Sequence, residues 1–433
     1  MKFITNIDEK KYENFLKKSS KDHFLQSYLW GQFARKSKGL IPHYVGMIDE
    51  KDNLVCTALL LQKKLPLGYS YFYSPRGFVI DFNNTNILTE FTTHLKKYVK
   101  ENKGIFLKID PDIKRHNLDI EGNILEGENN YDLIRTLEKI RYTHKGYFKN
   151  FELEQPRFTF RINLDKPFEE IYNNFSKTTI QRIKKAEEMD VEVKIGDIYD
   201  VETFSDLSNM TENRKNFISH DSNYYKTLYE IYNNNNNSKC VLFLASVNPK
   251  KIYHKFKNKL KELTNELEKI SAELKTKESK SLKSKFNELE KQVQGVEKQS
   301  ETFKEYSEKY TDDIVISSYF IIYHNDSAWV LFAGNHNELT ETFANYKIYL
   351  EHVHYAKENN IKMYDLFGTT GDLSKDNSRL GLHEFKKKFG GEYTEFIGEF
   401  DLITNKPMYF LFTKLIPLYR KIKKKALKRK KDN

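Results

Sequence analysis

Apolar positions along the chain follow two rhythms, and the rhythms alternate. Strand-length apolar runs lie at 54–62, 69–73 and 104–109. A short polar helix is predicted at 9–20 and a helix of 3.6-residue period at 89–102. Strands that alternate with helices in this way indicate an α/β unit.

A second series of the same kind follows the first. Its predicted strands lie at 158–164, 239–246, 314–324, 328–334 and 361–367, and its predicted helices at 176–189, 200–213 and 342–359. The gap between the second and third of these strands is far too long for a loop. The second α/β unit is therefore predicted to contain an insertion.

The insertion has the clearest periodicity in the chain, with apolar residues at steps of three and four on both sides of a polar segment at 275–281. These residues are Ile252, Phe256, Leu260, Leu263, Leu267, Ile270 and Leu274, then Leu282, Phe286, Leu289, Val293, Val296, Phe303, Tyr306 and Tyr310. Two such seams predict an antiparallel helical hairpin with arms of roughly 34 Å. The hairpin is either a dimerisation coiled coil or a projecting arm that contacts a large ligand.

Composition and charge narrow the class of protein. With 28 Tyr and 31 Phe among 433 residues, the chain has too much apolar anchoring surface to be disordered. No apolar run approaches the length of a membrane span, and no cleavable leader is evident, so a cytoplasmic protein with reduced Cys56 and Cys240 is predicted. Residues 418–433 hold nine Lys or Arg against one Asp, so the tail contributes +8 of the net charge of +11.

Familiar cofactor chemistry is missing from the sequence. There is no phosphate-binding Walker loop, no dinucleotide fingerprint and no paired-cysteine zinc motif. His352 and His354, at i and i+2 of a predicted helix, face different directions and cannot share a metal. No metal or cofactor is expected, and the residues alone lead only to a basic-tailed α/β protein with a helical arm.

Eight segments in this order nevertheless resemble one family, the Fem (FemABX) aminoacyltransferases of peptidoglycan bridge synthesis, and its FemX branch most closely. They are Gln26–Trp30, Tyr73–Asp81, Lys108–Asp112, Gln155–Arg157, Thr211–Arg214, Tyr364–Gly368, Gly381–Gly391 and Ile397–Asp401. The resemblance implies an α/β (α+β) fold of two tandem GNAT-like acyltransferase domains with an inserted antiparallel coiled-coil hairpin. We expect the first domain at 1–150 and the second at 151–246 and 311–412, its C-terminal part packing on the first. The arm then occupies 247–310 and the basic tail 413–433.

The resemblance also implies a reaction. An amino acid, glycine foremost with alanine or serine as alternatives, is moved from aminoacyl-tRNA to the stem-peptide amine of a peptidoglycan precursor, with lipid II expected. Aminolysis of an activated ester needs no cofactor beyond the aminoacyl-tRNA co-substrate. The expected partners are aminoacyl-tRNA, lipid II, an anionic membrane surface reached through the tail, and a second copy of the chain if the arm dimerises.

Site residues follow from the same resemblance. Lys386, beside Phe385, is the expected cation near the ester carbonyl or the tRNA 3′ end. Asp110 is expected to act as a base, to orient the amine or only to stabilise a turn, because a free Asp with a pKa of about 3.9 is a weak base. Arg214 matches an arginine that binds precursor phosphate, and the guanidinium fork suits that task. The other expected substrate contacts are Arg35, Lys36, Arg76 and Tyr224, and the expected tRNA contacts are Arg182, Lys184, Lys185 and Lys387.

Two other classes of protein stay open. An acyl-CoA N-acyltransferase of the same fold is expected to show a glycine-rich pyrophosphate loop, for which the sequence has no convincing copy. A non-catalytic RNA-binding or membrane-binding protein would need only the arm and the tail. The predicted location in either enzyme case is the cytoplasm, and for a lipid II enzyme the inner face of the cell membrane.

Overall fold

The computed structural model describes residues 1–215, 220–234, 238–277 and 279–415, with the side chains of 213–215 left out. The strands are β1 (Lys2–Thr5), β2 (Ile41–Ile48), β3 (Leu54–Lys64), β4 (Ser70–Ser74), β5 (Gly104–Ile109), β6 (His116–Leu118), β7 (Ile124–Asn129), β8 (Tyr142–His144), β9 (Phe158–Asn163), β10 (Glu192–Gly196), β11 (Ser238–Val247), β12 (Ile314–His324), β13 (Ser327–Asn335), β14 (Met363–Thr369), β15 (Glu392–Glu395) and β16 (Phe400–Ile403). The helices are α1 (Glu9–Leu16), α2 (Tyr28–Lys38), α3 (Thr85–Glu101), α4 (Tyr131–Lys139), α5 (Phe168–Asn173), α6 (Lys177–Glu188), α7 (Val201–Lys215), α8 (Ser222–Asn233), α9 (Pro249–Thr276), α10 (Lys280–Lys309), α11 (Ala344–Glu358), α12 (Leu380–Lys387) and α13 (Lys406–Phe410).

Two seven-stranded sheets organise the molecule. The first has the order β1-β2-β3-β4-β5-β16-β8 and the second β10-β11-β12-β13-β14-β9-β15, while β6 and β7 form a separate ribbon. In each large sheet one parallel pair, β4 with β5 and β13 with β14, lies among antiparallel neighbours. The expected α/β class with two sheet-centred units is confirmed.

The chain crosses between the two units near its C-terminal end. β16 pairs with β5 and β8 in the first sheet, although it follows the last strand of the second. The C-terminal part of the predicted second domain thus returns to the first unit. The domain limits themselves stay predictions.

A shared core fixes the two units against each other. Besides one apolar cluster for each unit, a third cluster combines side chains of both. Phe24 of the first unit lies 5.0 Å from Trp329 of the second, measured between ring centroids. Nearby, buried His324 of the second unit pairs at 3.0 Å with partly buried Asp22 of the first. The contact between the two units therefore includes a His–Asp pair as well as aromatic packing.

The inserted hairpin is present as two helices, α9 and α10. Phe256 stacks on Phe303 near the root, and Lys285 pairs with Glu266 further out, so the helices run antiparallel. Ile252 and Phe303 belong to the core of the second unit. The root of the arm is therefore part of that unit, and only the outer length projects.

A membrane-spanning helix and a cluster of metal-binding side chains are both absent from the described residues. Across the described part of the chain, no helix combines the length and apolar character needed to span a bilayer. Nor do three or more His, Cys, Asp or Glu side chains gather there as a metal site would require. The predicted basic tail beyond residue 415 lies outside the described residues.

Candidate active site

A cavity of about 1070 Å³ opens into the second unit between β12, β13, α11 and α12. Tyr319, Phe332 and Tyr349 contribute aromatic wall, and Arg182 and Lys386 contribute cations. Small-molecule pockets commonly have about 300–1000 Å³ of space, apolar walls and a few convergent polar groups. The cavity has these properties and contains the first of the expected catalytic residues.

Lys386 lies on α12 with its side chain buried. Its ammonium nitrogen Nζ donates to the backbone carbonyl oxygens of Leu366, Phe367 and Gly368 at 2.6, 3.0 and 2.8 Å. Burial lowers the pKa of Lys386 to about 7, and the nearby Asp365 carboxylate opposes that shift. All three donors of the ammonium are satisfied, so a ligand that takes one must replace a carbonyl.

A bulge in β14 creates this ring of carbonyls. The register with β9 shifts between Asp365 and Gly368, and Phe367 has a left-handed backbone with φ of 60°. Asp365 holds the bulge by accepting a hydrogen bond from the Phe367 amide at 2.7 Å. A Cβ on Gly368 would come within 2.3 Å of the Pro156 side chain, so glycine is required there. Bulges of this kind re-aim groups beside functional sites.

Arg161 on β9 connects the bulge to the first unit. Its guanidinium donates to Asp365 at 2.8 Å and to Asp112 at 2.6 Å. Burial works against the charge of Arg161, but the two carboxylates overcome it and raise its pKa. Likewise, burial alone would raise the pKa of Asp112, but Arg161 and His23 bring it well below the usual range. Arg161 and Asp112 are therefore both charged near neutral pH.

Asp110 follows β5 in the first unit and is buried. Its carboxylate accepts from the Tyr73 hydroxyl at 2.8 Å and from the Arg76 amide at 2.7 Å. Burial raises the pKa of Asp110 to about 7, while the Arg76 charge lowers it and the Glu399 charge raises it further. The structure does not bring Asp110 into contact with Lys386, and Asp110 is not part of the cavity wall.

Two other expected residues do lie with Lys386. Phe385 lines the cavity, with its ring centroid 5.1 Å from that of Tyr346. Arg182 also lines it, donates to the Tyr346 hydroxyl and stands 5.5 Å from the centre of the Phe343 ring. The wall therefore combines three predicted side chains with an aromatic surface that sequence reasoning did not single out.

The remaining expected tRNA contacts lie outside the cavity. Lys184 and Lys185 are exposed on α6. Lys387 points away from the cavity and pairs with Glu121 at 2.6 Å. Lys185 nevertheless reaches the border of the cavity, because its ammonium stands 5.9 Å from the centre of the Phe343 ring, which lines the cavity.

The expected precursor contacts are dispersed as well. The Arg76 guanidinium is committed to the Pro156 carbonyl oxygen at 2.6 Å and to the face of Phe396. Tyr224 is a core residue, packed on Phe33, and burial raises its pKa.

Arg35 and Lys36 are exposed at the end of α2, where Lys36 pairs with Glu230 at 3.3 Å. The Arg214 side chain lies outside the described residues. Arg35, Lys36, Arg76 and Tyr224 therefore do not come together as a phosphate site.

Sequence reasoning missed Asp365, Arg161 and Asp112 as site-forming residues. A signal was available, because charged residues are rare inside buried strands unless they are paired. Arg161 lies among the apolar positions of β9, and Asp365 among those of β14. What the sequence could not show is that these two charges face each other.

Comparison with known proteins gives one consistent result. The family model described as "FemAB family" matches residues 7–416. The chain is 26% identical over 421 residues to the lipid II:glycine glycyltransferase of Staphylococcus haemolyticus (strain JCSC1435), covering 96% of this chain and 97% of that protein. It is 26% identical over 433 residues to the lipid II:glycine glycyltransferase of Staphylococcus aureus (strain MRSA252), covering 98% and 99%. The crystal structure of FemX matches with a TM-score of 0.73 and 26% identity over 95% of this chain and 99% of that chain.

Proposed function

The chain belongs to the FemAB family, and from this premise we propose that it is an aminoacyltransferase that adds glycine to the stem-peptide amine of lipid II. The donor is aminoacyl-tRNA, and alanine and serine are the alternative amino acids. The observation that carries the proposal is the end-to-end similarity to lipid II:glycine glycyltransferases. The carbonyl-held Lys386 in a large cavity supports it.

The reaction is the aminolysis of an ester. The acceptor amine attacks the ester carbonyl carbon, a C–N bond forms, the C–O bond to the tRNA ribose breaks, and the amine proton leaves with the ribose hydroxyl or with a base. Negative charge develops on the carbonyl oxygen, and a positioned cation stabilises it. Lys386 takes this role by exchanging one backbone carbonyl for the developing oxyanion. No metal or nucleotide is proposed, because the ester is already activated.

Asp110 has a supporting role in this proposal. A lysine-type acceptor amine has a free pKa of about 10.4, so it must lose a proton before attack. The raised pKa of Asp110 suits proton transfer, but both of its oxygens are engaged by Tyr73 and Arg76. We assign it to positioning of the acceptor side through these two partners.

Separate groups of basic side chains are proposed for the two macromolecular substrates. The cations Arg182, Lys184, Lys185 and Lys387 and the outer arm are proposed to contact tRNA phosphates, whose attraction for basic side chains is strong and salt-dependent. Arg214, with Arg35 and Lys36 at the exposed end of α2, is proposed for the precursor, whereas Arg76 and Tyr224 are engaged within the protein. The basic tail is proposed to hold the enzyme at the inner membrane face.

Transfer measured with a panel of charged tRNAs tests the proposal. Purified protein is incubated with glycyl-, alanyl- or seryl-tRNA and lipid II, in parallel with acetyl-CoA as donor and with a soluble nucleotide-linked precursor as acceptor. Glycine incorporation that requires both glycyl-tRNA and lipid II is the expected result. Transfer from acetyl-CoA alone would establish the acyl-CoA alternative, and binding of tRNA without any transfer would establish the non-catalytic one.

A further inference from the structure

An exposed leucine occupies an unfavourable position at one end of the first sheet. Leu67, in the turn Pro66–Gly68 between β3 and β4, is 87% exposed and has a φ of 62°. Left-handed backbone is normally occupied by glycine or asparagine, because a β-carbon is crowded there. Leu67 therefore has an unfavourable backbone conformation and contributes no apolar burial to the stability of the fold.

A second exposed apolar group lies after β16. Tyr409 of α13 and Phe412 pack inward on Phe106, with ring centroids 5.3 and 6.0 Å away. The opposite side of this segment carries Phe410, Leu411 and Leu415, which are 56%, 37% and 44% exposed. The segment is thus firmly seated while presenting three large apolar side chains to solvent.

Strand register places the two groups side by side. Ser70 of β4 aligns with Gly104 of β5, and its amide donates to the Lys103 carbonyl oxygen at 3.0 Å. The amide of Asn405, one residue before α13, donates to the Ile105 carbonyl oxygen at 3.1 Å. Residues 103–105 therefore lie between the Leu67 turn and α13. We call the combined surface of Leu67, Phe410, Leu411 and Leu415 the Leu67 face.

The segments that carry the Leu67 face are rich in exposed lysine. The exposed lysines of these segments are Lys63, Lys64, Lys103, Lys406 and Lys414. Two exposed acids lie near these segments: Glu101, within 3.9 Å of Lys97, and Glu154, whose charge acts on Tyr71. Residues 418–433, which carry a net charge of +8, follow this segment in the sequence. The face therefore combines exposed apolar tips with lysines of the same segments, and a polybasic sequence follows it along the chain.

We propose that the Leu67 face docks on an anionic phospholipid bilayer, with Leu67, Phe410, Leu411 and Leu415 entering the boundary between headgroups and acyl chains. The lysines and the tail supply attraction to the negative headgroups, and the apolar tips supply burial that is independent of salt. RNA phosphates would satisfy the lysines but offer nothing to the apolar tips. Docking through the folded body, and not only through the tail, fixes the orientation of the enzyme on the membrane.

This inference rests on the proposed function for its purpose, because the proposed acceptor is anchored in a bilayer. The binding itself needs no turnover, so the two ideas fail separately. A protein that binds vesicles but transfers nothing would refute the proposed function alone. A protein that transfers glycine to lipid II in detergent but ignores vesicles would refute the membrane face alone.

The test is co-sedimentation of the full chain with vesicles of phosphatidylglycerol and phosphatidylcholine or of phosphatidylcholine alone. The variant is Leu67→Asn, Phe410→Gln, Leu411→Gln, in which asparagine suits the left-handed backbone and the tail stays intact. The matched control is Ile195→Gln, Tyr199→Gln, which removes two exposed apolar side chains of the second unit, 54% and 85% exposed. Thermal unfolding checks that both variants fold.

The face variant is expected to lose roughly tenfold or more of its partition onto anionic vesicles, and a larger fraction of the binding that survives high salt. The control variant is expected to partition like the parent. Equal partition of the face variant and the parent would overturn the proposal and leave the tail as the anchor. A loss of tRNA affinity or of self-association with unchanged vesicle binding would overturn it as well, in favour of an RNA or dimer surface.

Discussion

Lys386 in the second unit and Asp110 in the first are buried groups of opposite charge, and burial brings their pKa values to about 7 from opposite sides. Their surroundings differ. Lys386 faces a cavity of about 1070 Å³ and is held by backbone carbonyls, whereas Asp110 is enclosed by Tyr73 and Arg76. A perturbed pKa identifies a candidate, but access to a ligand decides between chemistry and support. The comparison therefore predicts a large role for the lysine and a smaller one for the carboxylate.

The largest effect is expected from Lys386→Met. Removal of a cation that faces the developing oxyanion lowers turnover on the order of a hundredfold to a thousandfold, roughly 3 to 4 kcal/mol. Activity of the parent should fall as pH rises through about 7, because the cation loses its proton there. The measurement is single-turnover transfer from charged tRNA across a pH series.

Lys357→Met is the matched control for Lys386→Met. The Lys357 ammonium also donates to backbone carbonyls, those of Leu164 and Lys166, both at 2.7 Å, but it lies away from the cavity. The two variants lose the same kind of contact, so a deficit common to both would be structural. Near-parental turnover in a folded Lys386→Met variant would contradict the proposed role of Lys386 in stabilising the oxyanion.

Arg161→Met breaks the charged bridge that joins the lysine site to the first unit. Removal of the arginine leaves buried Asp365 and partly buried Asp112 without their guanidinium partner, which costs about 3 kcal/mol in the free energy of unfolding. Chemical denaturation measures this change. Lys166→Met removes an exposed partner of Glu170 and is expected to change the same quantity by less than about 1 kcal/mol. Equal stability of the two variants would show that the bridge is dispensable.

Shortening the arm tests the donor side separately. Deletion of 261–297, with a glycine-serine turn joining Leu260 to Lys298, keeps Ile252 and Phe303 in the core of the second unit. If the outer arm binds tRNA phosphates, the KM for charged tRNA rises roughly tenfold at physiological salt, while the KM for lipid II stays constant. A change from dimer to monomer with unaltered tRNA kinetics would instead assign the arm to dimerisation.

The sequence pattern predicted those strands and helices that begin and end where an apolar run or an apolar repeat stops. The strands Gly104–Ile109 and Ile314–His324 were predicted with the limits they have, because each is an apolar run closed by polar or turn residues. The helices of the arm were predicted for the same reason, since the repeat of apolar positions extends over several turns. In contrast, β2 (Ile41–Ile48) was missed, although it is central to the pairing of β1 and β3.

The candidate site was predicted only in part, because its geometry depends on distant segments. A motif marked Lys386, but the carbonyls that hold it exist only because β14 bulges opposite β9. Arg161 and Asp365 are 204 residues apart in sequence and meet only through strand pairing. Tyr224, expected at the substrate, is a core residue for a similar reason: its environment is set by α2, which no local pattern placed against it.

The smallest change in turnover is expected from Asp110→Asn. An asparagine can still accept from the Arg76 amide and bond to Tyr73, so a purely positioning role predicts a loss of about tenfold, below the hundredfold or more typical of a lost general base.

The pKa of Asp110 is raised in the folded protein, so between about pH 4 and 7 the folded protein binds more protons than the unfolded chain. As pH rises through that window, the parent therefore loses stability relative to Asp110→Asn. Thermal unfolding at several pH values measures this loss. Since Asp110 and Lys386 share no contact, the double variant should lose the product of the two single losses, within about 0.5 kcal/mol. A strong departure from that product would show that Asp110 and Lys386 act together as one acid-base site. Loss of a pH response below 7 in Asp110→Asn, where the parent has one, would show that Asp110 accepts a proton during turnover.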